Sequence, residues 1–342
     1  MEDYLRNCNR CAFIEADNFN RLNDSLGDGV KLRMGIDEAG RGPVLGAMVY
    51  GIAVGTCDAA GESVLSSLGV DDSKALTEER RAAIFERMND AAEVECQRSL
   101  TYATKVISPH YISTTMLRRC KYSLNDISYD AAIELVRRCL EARMPVAELY
   151  VDTVGPPESY QAKLEQTFPH LKVVVAKKAD SLYPIVSAAS IAAKVLRDRL
   201  LQRWPRPPRN GEENLEPSDG PGWGSGYPGD PATKDYMSCC DTVFGYPTLV
   251  RFSWSTADNC LQRKAVAVKW DDDGDDGKGS SGQSAAVKKT RSLTNYFGKK
   301  KPRLEEDNAN GDAVSAPGEE EASMIPRHSF FVDRRLKTLT TL

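Results

Sequence analysis

Apolar runs and amphipathic stretches alternate along the first 257 residues. Buried-type apolar runs or alternating positions predict strands over 32–40, 44–55, 93–107, 147–152 and 171–176. Apolar residues at helical spacing predict helices over 77–91, 123–142, 156–168 and 179–204, the first with Thr77 as its N-cap. Because strands come first and then alternate with helices, this order predicts an α/β fold with a mixed central sheet flanked by helices.

The pattern changes near residue 258. Residues 258–326 hold an acidic cluster at 271–276 and a basic block at 288–303, with few apolar positions. Low hydrophobicity with segregated charge cannot offset the entropy of ordering, so this stretch is predicted to be a disordered insert. Apolar residues, including Phe330 and Phe331, return in 327–342, which is predicted to be a C-terminal docking segment. The folded part is therefore predicted to be 1–257.

Composition removes several classes of protein. No run approaches 18 apolar residues, which excludes a transmembrane helix, and the N-terminus lacks the apolar region of a secretory signal. The nine cysteines are therefore expected to be reduced thiols. Only three histidines are present, which argues against histidine-based zinc sites and Ser-His-Asp triads. A net charge of -4 limits any nucleic-acid binding to a local surface.

The first candidate site follows the strand at 32–40. There an apolar run delivers Asp37 and Glu38 to a glycine-rich turn. Gly40 and Gly42 let the backbone approach a ligand closely, and Arg41 between them is placed for a phosphate. The alternative is a polar turn with a surface arginine, which an apolar strand running directly into DEAGRGP makes the weaker interpretation.

Two further acids stand at comparable places. Asp152 ends the strand at 147–152, and Asp180 opens the helix predicted at 179–204, so each could instead be a helix N-cap. Considered with Asp37 and Glu38, they form a set of carboxylates at strand ends or helix starts of one α/β unit. Clustered carboxylates repel unless cations neutralise them, and Mg²⁺ or Mn²⁺ prefer oxygen ligands. Such a set supports two-metal phosphodiester chemistry.

Five separated motifs then resemble one family, over roughly residues 32–255. They are DEAGRGPVLGAMVYG (37–51), DDSKAL (71–76), YVDTVG (150–155), KKADSLYPIVSAASIAAKV (177–195) and GSGYPGDPATK (224–234). In this order they resemble the type 2 ribonucleases H, in the form of the eukaryotic catalytic subunit. The resemblance implies an RNase H-like fold with a helical C-terminal portion. It also implies cleavage of RNA in RNA–DNA hybrids and incision 5′ of single ribonucleotides in duplex DNA, leaving 3′-hydroxyl and 5′-phosphate ends.

The resemblance also assigns roles to individual residues. The metal-binding and catalytic carboxylates would be Asp37, Glu38, Asp152 and Asp180, with Mg²⁺ or Mn²⁺ as cofactor. The substrate-binding residues would be Gly40, Arg41 and Gly42 at the ribose 2′-OH and its phosphates, Tyr227 on the neighbouring sugar, and Lys74 and Lys194 at phosphates. One departure is the stretch 211–222 before the tyrosine motif, which is longer than the family needs and puts the loop geometry there in doubt.

Partners and location follow from the same resemblance and from the tail. The eukaryotic enzyme is a heterotrimer with two accessory ribonuclease H2 subunits, B and C, and serves ribonucleotide excision repair and RNA primer removal. Residues 290–297 resemble a sliding-clamp (PCNA) box in which Thr290 replaces the usual glutamine. The run KKKPR at 299–303 predicts a nuclear location. No membrane partner is expected.

Two other functions compete with this interpretation. A non-catalytic nucleic-acid-binding subunit would keep the groove and lose the chemistry, but all four acids are intact. A nucleotide-binding α/β protein would use DEAGRG as its phosphate loop, yet neither G-x-G-x-x-G nor G-x-x-x-x-G-K-[ST] is present. Incision of a duplex with one embedded ribonucleotide, with and without Mg²⁺, separates all three.

Overall fold

A mixed sheet of six strands is the framework on which the site is built. The computed structural model describes Leu5 and residues 11–15, 19–70, 76–205, 222–239 and 246–265. The strands of these residues are β1 (Ala12–Glu15), β2 (Leu32–Ala39), β3 (Met48–Thr56), β4 (Leu100–Ile107), β5 (Val146–Asp152) and β6 (Lys172–Ala176). They lie in the order β1-β4-β3-β2-β5-β6. The pairs from β1 to β2 are antiparallel, whereas β2–β5 and β5–β6 are parallel.

Helices cover the sheet and extend beyond it. Those of the described residues are α1 (Phe19–Ser25), α2 (Ala59–Leu68), α3 (Glu78–Asn89), α4 (Val94–Ser99), α5 (Pro109–Met116), α6 (Leu124–Glu141), α7 (Pro157–Thr167), α8 (Ala179–Leu182), α9 (Pro184–Gln202), α10 (Pro231–Cys239) and α11 (Ser255–Lys264). The predicted α/β class with a mixed sheet is confirmed. Within the described residues, no helix combines the length and the apolar character that crossing a membrane requires.

Local sequence signals place several helix starts correctly. The Thr77 side chain accepts a hydrogen bond from the backbone of Arg80 at 3.3 Å, which makes it the N-cap of α3 as predicted. Helix α6 begins with a capping box, in which Ser123 and Asp126 each accept a hydrogen bond from the other's backbone N–H. These caps satisfy amide groups that the first helical turn leaves without partners.

Three element predictions need correction. Residues 94–99, predicted as the start of a strand, form helix α4, because the buried Gln97 side chain donates to the carbonyls of Met88 and Asp90 and ties this turn to the end of α3. The helix predicted over 179–204 is broken at Tyr183, which is extended because it precedes Pro184. The strand predicted from 44 begins only at Met48, since Gly46 before it has a φ of +83°.

Helix α9 lies against β2 and β3 at unusually short range. A Cβ atom on Gly35 would be 2.5 Å from the carbonyl of Ile185, and one on Gly51 would be 2.4 Å from the carbonyl oxygen of Ala189. Real Cβ atoms do not come so close to backbone atoms, so glycine is required at both sheet positions. The facing part of α9 is built from small buried residues, including Ala188 and Ser190. This packing brings the helix backbone directly under the end of β2.

The end of the folded part lies beyond the predicted boundary. Helix α11 spans Ser255–Lys264 with Ala257 fully buried, so it crosses the boundary predicted at residue 257. The chain divides into two units at 267, and every described residue belongs to the first. The rest of the predicted insert, the docking segment 327–342, the clamp-like residues 290–297 and the basic run 299–303 lie outside the described residues.

Candidate active site at the ends of strands β2 and β5

Three predicted carboxylates meet where two parallel strands end. Ile36 of β2 pairs with Val151 of β5, so the next residues, Asp37 and Asp152, occupy neighbouring positions at the same edge of the sheet. Glu38 follows Asp37 on β2 and lies opposite Tyr50 of β3. The carboxyl ends of parallel strands are the usual place of an α/β active site.

Asp37 is buried, with 5% of its surface exposed. Its Oδ1 accepts a hydrogen bond from the backbone of Glu38 at 2.7 Å, and its carboxylate is hydrogen-bonded to Ser190 of α9. Burial raises the pKa of the Asp37 carboxyl, and the neighbouring Asp152 carboxylate raises it further, whereas Ser190 and Lys194 act in the opposite direction. Helix α9 thus provides both a hydrogen bond and a positive charge for this acid.

Glu38 lies in a more costly environment. Burial raises its pKa well above the ordinary range, and the Asp37 and Asp152 carboxylates add to that effect. Arg41 and Lys194 act against it. Within the described part of the chain, the buried Glu38 Oε2 has no hydrogen-bond partner. An oxygen in this condition calls for a cation or a donor that a ligand provides.

Asp152 and Asp180 are linked through the start of helix α8. The Asp152 Oδ1 accepts a hydrogen bond from the backbone of Ala179 at 2.9 Å, and Asp180 is the next residue, with only 2% of its surface exposed. Lys178 reverses the chain before this turn with a φ of +57°. The alternative interpretation of Asp152 as an N-cap of the helix at 157–167 is not what the structure shows, because Pro156 occupies that position.

The four acids provide oxygen ligands of the type that Mg²⁺ and Mn²⁺ prefer. The buried Glu38 Oε2 and the mutual repulsion of Asp37, Glu38 and Asp152 fit such a cation. As the side chains stand, no group of three or more acids, histidines or cysteines among the described residues is arranged to hold an ion. Metal binding by this set therefore requires its carboxylates to turn toward a common centre.

The glycine turn follows the carboxylates directly. Gly40 has a φ of +77°, and a Cβ atom there would be 2.8 Å from the carbonyl oxygen of Ala47, so only glycine fits. The Arg41 guanidinium donates to Ser128 at 3.0 Å and also to the side-chain oxygen of Asn125, both on α6. Sequence reasoning identified Arg41 but missed these two partners, which no local pattern in α6 reveals.

Tyr227 is carried to the same turn from far along the chain. A Cβ atom on Gly42 would be 3.4 Å from the Tyr227 ring, which is 45% exposed. The carbonyl oxygen of Gly226 accepts hydrogen bonds from the backbones of Val44 and Leu45, at 2.8 and 3.2 Å, and fixes this approach. Tyr227 is therefore an exposed aromatic ring next to the glycine turn, as a residue that stacks on a nucleotide sugar would need to be.

The two lysines differ in what the structure says of them. Lys194 on α9 acts electrostatically on both Asp37 and Glu38, so in this structure it is a neighbour of the carboxylates. Lys74 lies outside the described residues. Sequence reasoning missed Arg251, a fully buried arginine that donates to backbone carbonyls of the glycine turn. Its only signal is a charged residue in the otherwise apolar run LVRF.

Comparison with known proteins identifies the family. The profile of the Ribonuclease HII family matches residues 34–257. The ribonuclease H2 protein of Caenorhabditis elegans that carries the subunit letter A is 49% identical over 259 residues, which cover 75% of this chain and 84% of that protein. Its counterpart of Homo sapiens is 40% identical over 310 residues, 90% of each chain.

Solved structures agree with this assignment. The ribonuclease H2 of Pyrococcus horikoshii OT3 superimposes with a TM-score of 0.52 at 31% identity, covering 68% of this chain and 98% of that one. The RNase HII of Archaeoglobus fulgidus, in its complex with PCNA, gives a TM-score of 0.51 at 30% identity, covering 67% and 96%. The resemblance to type 2 ribonucleases H and the RNase H-like fold are confirmed. The chain belongs to the ribonuclease HII family and is a ribonuclease H of the kind found as the catalytic subunit of ribonuclease H2.

Proposed function

We propose that this endoribonuclease cleaves RNA in RNA–DNA hybrids and incises duplex DNA 5′ of single embedded ribonucleotides. The observation that carries the proposal is the juxtaposition of two unlike surfaces. Buried carboxylates end β2 and β5, and a glycine turn with an exposed tyrosine ring lies beside them. The first surface suits phosphodiester chemistry, and the second suits contact with a sugar and its phosphates.

Asp37, Glu38, Asp152 and Asp180 are the residues that would hold divalent cations. The chemistry that two bound Mg²⁺ or Mn²⁺ ions supply is activation of a water for attack on phosphorus and neutralisation of the departing 3′-oxygen, which leaves 3′-hydroxyl and 5′-phosphate ends. The protein keeps the carboxylates in place through Ser190, which bonds Asp37, and through the Ala179 backbone, which bonds Asp152. Lys194 offsets part of their negative charge.

Substrate recognition falls to the glycine turn and Tyr227. The backbone at Gly40, Arg41 and Gly42 would contact the ribose 2′-OH, the group that distinguishes RNA from DNA at one nucleotide. The Tyr227 ring, held against Gly42, would stack on the adjacent deoxyribose and so sense the junction. Lys74 would contact a substrate phosphate, and Lys194 remains a candidate for the same role.

The wider assignment extends beyond the described residues. The match to a ribonuclease H2 subunit over as much as 90% of the chain supports a complex with accessory subunits B and C, and roles in ribonucleotide excision repair and primer removal. The A. fulgidus complex with PCNA supports a clamp partner, which residues 290–297 would bind. The basic run 299–303 supports a nuclear location.

Incision assays test the proposal directly. The full-length chain, with any subunits that co-purify, is given three duplexes of one sequence: an RNA–DNA hybrid, DNA with a single ribonucleotide, and DNA alone. We expect incision of the first two in Mg²⁺, none in EDTA, and none of the third. Failure to cut either ribose-containing duplex in Mg²⁺ or Mn²⁺, together with retained binding, would favour the non-catalytic subunit instead.

A further inference from the structure

The glycine turn is held from behind by two residues near the C-terminal end of the described fold. Arg251 is 0% exposed, and its guanidinium donates to three carbonyl oxygens: Gly46 at 2.9 Å, Arg41 at 3.0 Å and Gly40 at 2.6 Å. The Trp254 indole N–H donates to the carbonyl oxygen of Gly42 at 3.1 Å. Arg251 and Trp254, here called the loop clamp, therefore engage all three carbonyls of the Gly40–Gly42 turn.

The loop clamp is itself fixed. The Arg251 guanidinium lies over the Trp254 ring, 5.0 Å from its centroid, and the Arg251 backbone N–H donates to Val44 at 2.8 Å. A planar guanidinium offers five donors in a rigid fork, so it can bind several carbonyl oxygens that a lysine ammonium cannot reach together. Ordering of the turn by this arginine is thus a matter of geometry as well as charge.

Peptide planarity converts the position of each carbonyl into the direction of the next amide. In a trans peptide, the C=O of one residue and the N–H of the next point to opposite sides, and the described residues contain no cis peptide bond. The Gly40 and Arg41 carbonyls point at Arg251. The amides of Arg41 and Gly42 consequently point away from it. The residue after Gly42 is Pro43, which has no N–H, so the turn presents these two amides as a pair.

We propose that Arg251 and Trp254 are positioning residues that aim the Arg41 and Gly42 amides at the substrate's ribose and its phosphate. Within the described residues neither amide donates a hydrogen bond inside the protein. Successive amides that point to one side form a concave site for an anion or a hydroxyl oxygen. The inference rests on the proposed reading of the ribose by this turn, and it assigns the geometry of that reading to residues more than 200 positions away.

The chain offers a matched pair of tryptophans for the test. Trp254→Phe removes one indole hydrogen bond, the one to Gly42, and keeps an aromatic ring under Arg251. Trp223→Phe also removes an indole hydrogen bond to a backbone carbonyl, at 3.2 Å, but that carbonyl belongs to Leu201 in α9. Arg251→Lys is a third variant, which keeps the charge and loses the fork.

The main measurement is the ratio of affinities for two duplexes of one sequence, with a single ribonucleotide and without it, in EDTA so that neither is cut. We expect Trp254→Phe to lower this ratio about fivefold, and Arg251→Lys to lower it further, with little change in affinity for the DNA duplex. Trp223→Phe keeps the parent ratio. In Mg²⁺, the loss of kcat/KM on the ribonucleotide duplex should match the loss in the ratio, whereas thermal unfolding midpoints should be similar for the two tryptophan variants.

Each contrary outcome is distinct. A parent-like ratio in Trp254→Phe, or an equal fall in Trp223→Phe, overturns the positioning role while leaving the proposed function intact. A parent protein that incises neither ribose-containing duplex refutes the proposed function itself. A parent that incises them but shows no affinity difference between the two duplexes refutes the reading of the ribose by this turn, and the role of the loop clamp with it.

Discussion

The end of β2 and the turn that follows it are adjacent in the chain and opposite in character. At the strand end, Asp37 and Glu38 are buried near Asp152, and burial with mutual repulsion opposes their ionisation. In the turn, the Gly40–Gly42 carbonyls all accept hydrogen bonds from the loop clamp. The first region is unfavourable until a cation enters, whereas the second is already satisfied. Substitutions should therefore remove chemistry in the first region and alter recognition in the second.

The largest expected effect comes from Asp152→Asn. A lost metal ligand removes several kcal/mol of transition-state stabilisation, so we expect incision to fall by on the order of a thousandfold in Mg²⁺. The unfolding midpoint should equal or exceed that of the parent, because the variant relieves repulsion with Asp37 and Glu38 and can still accept the Ala179 hydrogen bond. Rates and thermal unfolding of the metal-free protein are measured together.

Glu148→Gln is the control, since Glu148 lies on the same strand but pairs with Lys172 and Tyr150 outside the site. It should keep parent activity. Near-parent incision by Asp152→Asn at saturating Mg²⁺ would remove Asp152 from the metal-binding set and dissolve the contrast between the two regions.

Tyr227→Ala tests the recognition side of the contrast. Stacking on an aromatic ring contributes on the order of 1–3 kcal/mol, so we expect about a tenfold greater loss on the single-ribonucleotide duplex than on the RNA–DNA hybrid. Tyr227→Phe keeps the ring and should behave like the parent on both. The measurement is kcat/KM for each substrate. An equal loss on the two substrates would make Tyr227 a packing residue against Gly42.

A smaller effect is expected from freeing Arg41. Ser128→Ala removes one of the two α6 side chains that hold its guanidinium. Loss of one such hydrogen bond should raise KM about threefold with kcat unchanged, because Arg41 would bind substrate from a less ordered position. Steady-state kinetics on the single-ribonucleotide duplex give both constants. Ser159→Ala, which removes an exposed hydrogen bond in α7, is the control, and a similar KM change there would contradict the assignment.

The smallest effect is expected from deleting 268–324. This stretch carries segregated charge and few apolar residues, so its sequence offers little to pack on either region of the site. We expect kcat/KM on a short duplex to stay within about twofold of the parent. A large drop would show that the segment contributes to one of the two regions, and the substrate on which the drop is larger would show which.

Much of the fold could be predicted because its signals are local. The helical spacing and Thr77 cap of α3, and the capping box that starts α6, involve residues within a few positions of each other. The strands that end in Asp37 and Asp152 were evident from apolar runs. Helix α4 was missed because its position depends on the contacts of Gln97 with the end of α3, a tertiary effect that overrides the alternating pattern.

The sequence by itself determined the α/β class, the resemblance to the type 2 ribonucleases H and the identity of the four acids. Only the tertiary structure decided how they meet: Asp37 beside Asp152 by the register of β2 on β5, Ser190 under Asp37 by the close approach of α9, and Arg251 behind a turn 211 residues away. The physical reason is that caps, periodicity and turns act over a few residues. Convergence of side chains depends on packing between distant segments, which no local pattern encodes.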